Sequence, residues 1–249
     1  GDQRRPKPVS AEEANLRRIR QYIITNDGMP EHITHLVDVL REQIPTPVGP
    51  KIVETILDCA EEMPLETPTF ATVVGLLNVD SHKFVGELVD TALARFQSNL
   101  KMADPLDRQK ARLMLRFISL LVGVNTLEAS SVLAVLSDLV QAATRAAETA
   151  TEGWQPAADF LMYCVLACLP WAGEALFERD SEGLTSLLTN MEGYLAKRTR
   201  GIDPLHHIID PKVGAQGEDR MEEEEDYEED FIEELWGRVS VLHEGASWT

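Results

Sequence analysis

The stretch ITHLVDVLREQI, residues 33–44, decides the fold class. Its apolar residues recur at intervals of three and four, which places them on one face of an α-helix. They are Ile33, Leu36, Val37, Leu40 and Ile44. Stripes with the same spacing return in residues 52–63, 84–100 and 184–195. Alternating strand patterns flanked by hairpin turns are absent from the sequence, so it predicts an all-α protein.

Helix start and stop signals divide the chain into short elements. Ser10 followed by Glu13 is typical of a capping box, and Thr67 and Asp104 each stand as a predicted N-cap before a proline. Helix stop signals occur at Gly28 and at other glycines and prolines. Together, the start and stop signals predict about ten helices, or about 40 residues per helical pair. That period predicts an α-solenoid of stacked antiparallel HEAT-like helix pairs.

Two segments, 113–124 and 160–169, are apolar on more than one face, so we expect neighbouring helices to cover them on both sides. The uncharged run 160–173 contains Pro170 and is shorter than the roughly 20 residues of a membrane span. We therefore expect a soluble protein without a membrane partner. The three cysteines, an odd number, favour a reducing compartment over a disulfide framework.

The order of signals predicts four segments. Residues 1–10 form a flexible N-terminal tail, and 11–200 a helical repeat domain. Glycines, prolines and a charge block predict an acidic loop or insert over 201–230. Residues 231–249 are the closing helix and C-terminal end of the same domain, with Phe231, Leu235, Trp236, Val239 and Leu242 on the apolar face of that helix.

The net charge of −19 is unevenly distributed. Residues 218–234 hold twelve acidic residues and a single arginine, a net charge of −11 that leaves −8 for the remainder. Such a surface favours basic partners. The candidate surface for a basic partner comprises Glu222, Glu223, Glu224, Glu225, Asp226, Glu228, Glu229 and Asp230.

One cluster of cations interrupts this acidity. Lys197, Arg198 and Arg200 lie at the predicted end of a helix, where the helix dipole favours positive charge. That structural interpretation suffices by itself. The three residues are also the best candidates for a small patch that contacts phosphate.

No sequence signature of catalysis or of a cofactor is found. Cys164 and Cys168, and likewise His32 and His35, have helical spacings that could bind a metal, but a third ligand is missing near either pair. The pair His206-His207 is better explained by local polar contacts. We predict no cofactor and no enzymatic activity. The alternative is an enzyme, or a metal-dependent regulator built on His32 and His35 or on the acidic run.

Four segments together resemble the large subunits of nuclear cap-binding complexes, in their first helical domain, which has the fold of the middle domain of initiation factor 4G. Their residues occur in the same order and with comparable spacing. They are TFATVVGLLNVDSHKFVGELVD (69–90), LRFISLLV (115–122), FLMYCVLACLPWAGEALFERDSEGLTSLLTNMEGYLAKR (160–198) and EEDFIEELWGRV (228–239). The resemblance includes a turn at LPWAG, residues 169–173.

The resemblance implies a nuclear, non-catalytic scaffold that also shuttles to the cytoplasm. In that family a small RNA-recognition-motif subunit stacks the cap, so capped RNA would be bound only indirectly and no cap-binding residue is assigned here. The large subunit supports cap binding and recruits factors for splicing, 3′ processing, export and decay, including basic or Arg-rich ones. The alternative is a translation-initiation or mRNA-decay scaffold of the same fold that binds a DEAD-box helicase.

Overall fold

The computed structural model describes residues 10–26, 28–102, 104–149, 154–198, 230–245 and 248. This part of the chain contains ten α-helices and no strand, so the predicted all-α class is confirmed. The helices are α1 (Ala11–Ile24), α2 (Pro30–Gln43), α3 (Gly49–Glu62), α4 (Thr67–Asn78), α5 (His82–Leu100), α6 (Pro105–Leu120), α7 (Ala129–Thr149), α8 (Trp154–Arg179), α9 (Ser181–Leu195) and α10 (Phe231–Glu244).

The chain separates into two compact units, residues 1–92 and 93–249, with the boundary inside α5. In the first unit α1 packs on α3 and α2 on α4, while α1–α2 and α3–α4 are neighbours along the chain. This is the contact pattern of two stacked helix pairs, as predicted for a HEAT-like arrangement. The stripe of α2 forms part of the core, since Leu36, Val37 and Leu40 are all buried.

In the second unit α8 is the central helix. It contacts α6, α7, α9 and α10, and α7 also packs on α9. Because these four helices cover α8 on several sides, its sequence is apolar on several faces. Nearly every residue of 160–169 is buried, as is the whole of 113–119 in α6. The prediction is confirmed for 160–169, which neighbouring helices cover on several sides, and for residues 113–119 of the other segment, whereas Gly123 near its end is exposed.

The predicted turn at residues 169–173 is wrong, because α8 continues through Pro170 to Arg179. A proline inside a helix removes one hydrogen bond and costs roughly 3 kcal/mol. The pyrrolidine ring is exposed here, whereas Leu169, Ala172 and Gly173 on either side are buried. Since burying one large apolar side chain contributes about 1.5–3 kcal/mol, packing of the helix outweighs the local preference.

Because α8 continues through Pro170, it is long and apolar enough, by length and composition, to cross a membrane. The uncharged run 160–173 considered from the sequence was shorter than a membrane span. However, 61% of its most apolar stretch is buried inside the protein. Trp248 covers part of the same helix and is 8% exposed. Its indole lies so close to Gly173 that a Cβ at that position would be 2.3 Å from Trp248 Cε3. The glycine is therefore required for this contact.

A ladder of three arginines joins α6 to α8. The guanidinium carbons of Arg108, Arg112 and Arg116 lie 4.8, 5.7 and 4.4 Å from ring centroids of α8. The rings belong, in the same order, to Phe160, Tyr163 and Trp171. The order also shows that α6 and α8 run parallel, as alternate helices of stacked pairs do. Burial, followed by the neighbouring Arg112 charge, lowers the pKa of Arg116.

Local capping agrees with the sequence in two of three positions. Ser10 Oγ accepts from Glu13 N at 3.1 Å, and Asp104 Oδ1 from Leu106 N at 2.8 Å. The predicted cap at Thr67 is wrong, because Thr67 is already helical and its hydroxyl donates to the Pro64 carbonyl at 2.9 Å. The Thr67 hydroxyl therefore acts as a donor to a carbonyl of the preceding turn. An N-cap side chain instead accepts a hydrogen bond from a backbone N–H.

The closing helix α10 packs on α8. Of its predicted apolar face, Val239 is buried and the other four residues are partly exposed. Ile232, which the prediction omitted, is completely buried. The buried side of α10 is therefore narrower than the stripe read from the sequence.

Candidate functional site

The residues predicted to contact partners fall into two groups. Glu222, Glu223, Glu224, Glu225, Asp226, Glu228, Glu229 and Arg200 lie outside the described residues. Asp230, Lys197 and Arg198 are described, and they have three different environments. The geometry below concerns these three and the side chains around them.

Asp230 is a structural residue rather than part of an exposed acidic surface. Its Oδ1 accepts hydrogen bonds from the backbone N–H of Ile232 at 3.0 Å and of Glu233 at 3.2 Å, which caps α10. Its Oδ2 lies 2.5 Å from Arg198 Nη1. The side chain is only 9% exposed. The prediction that Asp230 offers charge to a basic partner is therefore wrong, because α10 and Arg198 already use both oxygens.

Arg198 is likewise unavailable to a phosphate. Its side chain is fully buried, and it donates to both oxygens of Asp159 in α8, from Nε and from Nη2, each at 2.9 Å. Nη1 donates to Asp230. A guanidinium is suited to this role because its fork matches a carboxylate in two places. Its assignment to a phosphate patch is wrong, since three of its donors are already bound.

Two further side chains complete this group, which we call the charge node: Asp159, Tyr194, Arg198 and Asp230. The Tyr194 hydroxyl donates to Asp159 Oδ1 at 2.7 Å, and Gln155 donates to Asp159 Oδ2 at 3.3 Å. Burial and the neighbouring Asp159 raise the pKa of Tyr194. The node connects α8, α9 and α10.

Arg198 keeps its positive charge at all ordinary pH values. Burial alone would lower the pKa of Arg198, but its hydrogen bonds and its attraction to Asp159 and Asp230 outweigh that effect and raise the pKa above the ordinary value. A cation that cannot release its proton is no acid or base in catalysis. The node is therefore a structural device that ties three helices together.

Lys197 has the opposite environment. Its side chain is 45% exposed, and Nζ donates to Glu148 Oε1 on α7 at 2.7 Å. This hydrogen bond and charge lower the pKa of Glu148. Lys197 also lines a groove of about 510 Å³ together with residues of α7 and α9. A second cation in that lining, Arg145, was missed from the sequence because it stands alone among uncharged neighbours.

The cysteines and histidines form no centre for chemistry in the described part of the chain. All three thiols are buried, and burial raises the pKa of Cys59 to about 11 and of Cys168 to about 12, with that of Cys164 also raised. Thiols held protonated in this way are poor nucleophiles and poor metal ligands.

His35 makes an edge contact with the ring of Tyr22 at 5.8 Å between centroids. Among the residues that the structure describes, no three His, Cys, Asp or Glu side chains come close enough together to bind a metal ion. His206 and His207 lie outside those residues.

Comparison with known proteins gives matches over most of the chain. A family model described as the MIF4G domain matches residues 19–236. The chain is 31% identical over 191 residues to nuclear cap-binding protein subunit 1 of Oryza sativa subsp. japonica, which is 76% of this chain and 21% of that protein. It is 30% identical over 224 residues to the protein of the same name from Arabidopsis thaliana, 88% of this chain and 24% of that protein. The chain thus spans about a quarter or less of the length of these relatives.

Proposed function

Because this chain belongs to the MIF4G domain family, we propose that it is the first helical domain of a nuclear cap-binding complex large subunit and acts as a non-catalytic scaffold. The observation that carries the proposal is the similarity to two plant proteins named nuclear cap-binding protein subunit 1. The aligned region is long enough to include helices of both compact units.

Cap recognition belongs, in this proposal, to a small RNA-recognition-motif subunit that binds the full-length large subunit. The aromatic side chains described here support that division. A cap sandwich needs two parallel rings with a free gap, whereas the described ring pairs are edge-to-face or tilted, with interplanar angles of 60–87°. Trp171 is 40% exposed, and the Arg116 guanidinium already stacks on it.

Recruitment of other factors is assigned to the acidic segment before α10. Residues 218–229 contain nine acidic residues and one arginine, a net charge of −8, which attracts basic or Arg-rich segments of export and processing factors. Attraction of this kind speeds association and weakens as salt rises. Nuclear localisation, with roles in splicing, 3′ processing, export and decay, follows from the same assignment.

The decisive experiment is affinity capture from nuclear extract with the full-length parent protein, followed by mass spectrometry. We expect a small RNA-recognition-motif subunit together with export and processing factors. Recovery of a DEAD-box helicase and ribosomal factors without that small subunit would assign the protein to translation or decay instead. It would overturn the proposed function and leave the fold unaffected.

A charge-neutralised parent separates the two roles. We expect Glu222→Gln, Glu223→Gln, Glu224→Gln and Glu225→Gln together to lose basic factors and to keep the small subunit. The matched control neutralises four exposed acidic residues on described helices: Glu42, Glu87, Glu174 and Glu178. Equal losses in both variants would show that total charge, rather than the acidic segment, recruits the factors.

A further inference from the structure

We propose that the groove between α7 and α9 binds the phosphate backbone of single-stranded RNA. The choice of RNA as the polyanion rests on the proposed function, while the anion site itself rests on the geometry of the groove. The proposal replaces the cluster read from the sequence, in which Lys197 was grouped with Arg198. It assigns the second cation to Arg145, on another helix.

The groove has a volume of about 510 Å³ and opens to solvent. Among the described residues that line it, the two charged ones are cations, Arg145 from α7 and Lys197 from the turn after α9. Amide groups flank them, with Gln141 on α7 and Asn190 on α9. The positive charge of these two described lining residues contrasts with the net charge of −19 of the whole chain.

The two cations differ in how they are held. Arg145 is exposed and makes no ion pair with any described residue. Lys197 is paired with Glu148, which is itself exposed and stands outside the lining. Exposed ion pairs contribute little, so a phosphate can compete for the ammonium group at small cost. Glu148 therefore acts as a competitor for the proposed ligand.

The uncharged lining favours a phosphate backbone over an acidic peptide. The Thr144 and Thr189 hydroxyls donate to backbone carbonyls at 2.9 and 3.0 Å, which leaves the amides and the cations as the donors. Among the described residues of the lining, Val140 is the single large apolar one. Peptides need buried apolar anchors for affinity, whereas a polyphosphate binds through charge and counterion release alone.

The shape of the groove agrees with backbone recognition. A Cβ at Gly193 would meet no atom within 4 Å, so the surface of α9 is open at this lining residue. This lets a bulky phosphate approach the helix backbone. The described lining of the groove contains no aromatic ring and so offers bases no stacking platform. We expect binding that is independent of base sequence and of the cap.

The test is fluorescence anisotropy of a labelled, uncapped 15-nucleotide oligouridine with this chain between 50 and 200 mM NaCl. Two phosphate contacts predict a slope of log affinity against log salt of about −1.4, since each contact in a single strand contributes about −0.7. Arg145→Met and Lys197→Met should each weaken binding roughly tenfold at 50 mM salt and flatten the slope by about 0.7. Glu148→Gln should strengthen binding by releasing Lys197.

Arg179→Met is the matched control, because Arg179 is an exposed cation on α8 that donates to Asn125 and lies outside the groove. It should bind like the unaltered chain. Absence of RNA binding at 50 mM salt, or equal losses in all three cation variants, would overturn the proposal. A 15-residue polyglutamate that competes as well as RNA would reassign the groove to acidic peptides. Each outcome is independent of whether the full-length parent captures the small subunit.

Discussion

Lys197 and Arg198 are neighbours in the sequence, yet they belong to two opposite regions of the molecule. Lys197 is half-exposed and lines the groove beside Arg145, whereas the Arg198 side chain is fully buried between two carboxylates. The sequence alone gave both the same interpretation, as members of one basic patch. The difference shows that position relative to the buried face of a helix decides what a charge can do.

The register of α9 explains the difference. Leu187, Met191 and Tyr194 are buried at intervals of four and three, and Arg198 continues this stripe by four more residues. Lys197 falls on the adjacent, exposed side. Arg198 and Asp230, the described residues on either side of positions 199–229 in the sequence, form an ion pair with each other. Substitutions at the charge node and at the groove should therefore have different effects on stability and binding.

The largest effect is expected at the node. Arg198→Met would leave the carboxylates of Asp159 and Asp230 buried without their cation. Removing one partner of a buried ion pair typically costs about 3–5 kcal/mol in the free energy of unfolding. Urea unfolding at pH 7, followed by circular dichroism, measures the loss.

A double-mutant cycle identifies the cause. Asp159→Asn combined with Arg198→Met should destabilise the chain by clearly less than the sum of the two single changes, because the groups share one network. Additive losses would mean that the side chains act through packing alone and that no charge node exists. Arg198→Lys should also be less stable than the unaltered chain, since an ammonium cannot make the two-point contact.

The next effect concerns pH and the three buried thiols. Burial raises the folded-state pKa of all three cysteines, so the folded state keeps its protons longer than the unfolded state does. Stability is then fully present below the unfolded thiol pKa of about 8.5 and is lost as pH rises above it. Between pH 7 and pH 9 we expect a loss of about 2 kcal/mol in total.

Urea unfolding at the two pH values measures this loss, and a variant carrying Cys59→Ala, Cys164→Ala and Cys168→Ala supplies the control. Its absolute stability will be lower because of the cavities created, but its pH dependence should be much flatter. An unchanged pH dependence would show that other groups are responsible. Thiol-reactive dyes should label all three positions only after unfolding, because the thiols are buried.

Much of the fold could be predicted because it depends on periodicity. The helix class, the stacked pairs and the two segments covered on both sides all follow from apolar spacing that the core enforces. The predictions were wrong where tertiary packing outweighed a local sequence signal. Pro170 reads as a turn, but burial of the residues around it keeps α8 intact.

The site was predictable only in part, for a related reason. The carboxylates that allow Arg198 to be buried come from α8 and from the start of α10. Because both are distant from Arg198 in the sequence, the sequence pattern indicates a surface cation. Arg145 was missed because the groove forms only when α7 packs on α9. A search for charges that continue a buried stripe would have separated Arg198 from Lys197.

A pair of glycines extends the comparison to packing. Gly173→Ala places a Cβ 2.3 Å from the Trp248 ring and should cost about 1–3 kcal/mol, the usual range for overpacking. We also expect Trp248 to move, which a red shift in tryptophan fluorescence would report. Gly193→Ala in the groove meets no neighbour and should instead stabilise α9 by up to about 1 kcal/mol. The two substitutions should change the free energy of unfolding in opposite directions. If both lower it by the same amount, the surface of α9 at Gly193 is packed against neighbours.

The smallest change in stability is expected at Lys197, whereas the largest is expected at Arg198, its neighbour in the sequence. Lys197→Met breaks an ion pair whose partners are both well exposed, so we expect no measurable shift of the urea midpoint at 0.15 M salt. The same substitution should weaken RNA binding, which separates a binding role from a structural one. If Lys197→Met destabilises the chain as strongly as Arg198→Met, then the two cations belong to one structural cluster and the division into node and groove is wrong. Repeating the measurement at 0.5 M salt identifies the force involved, because a loss due to the exposed pair fades with screening and a loss due to packing persists.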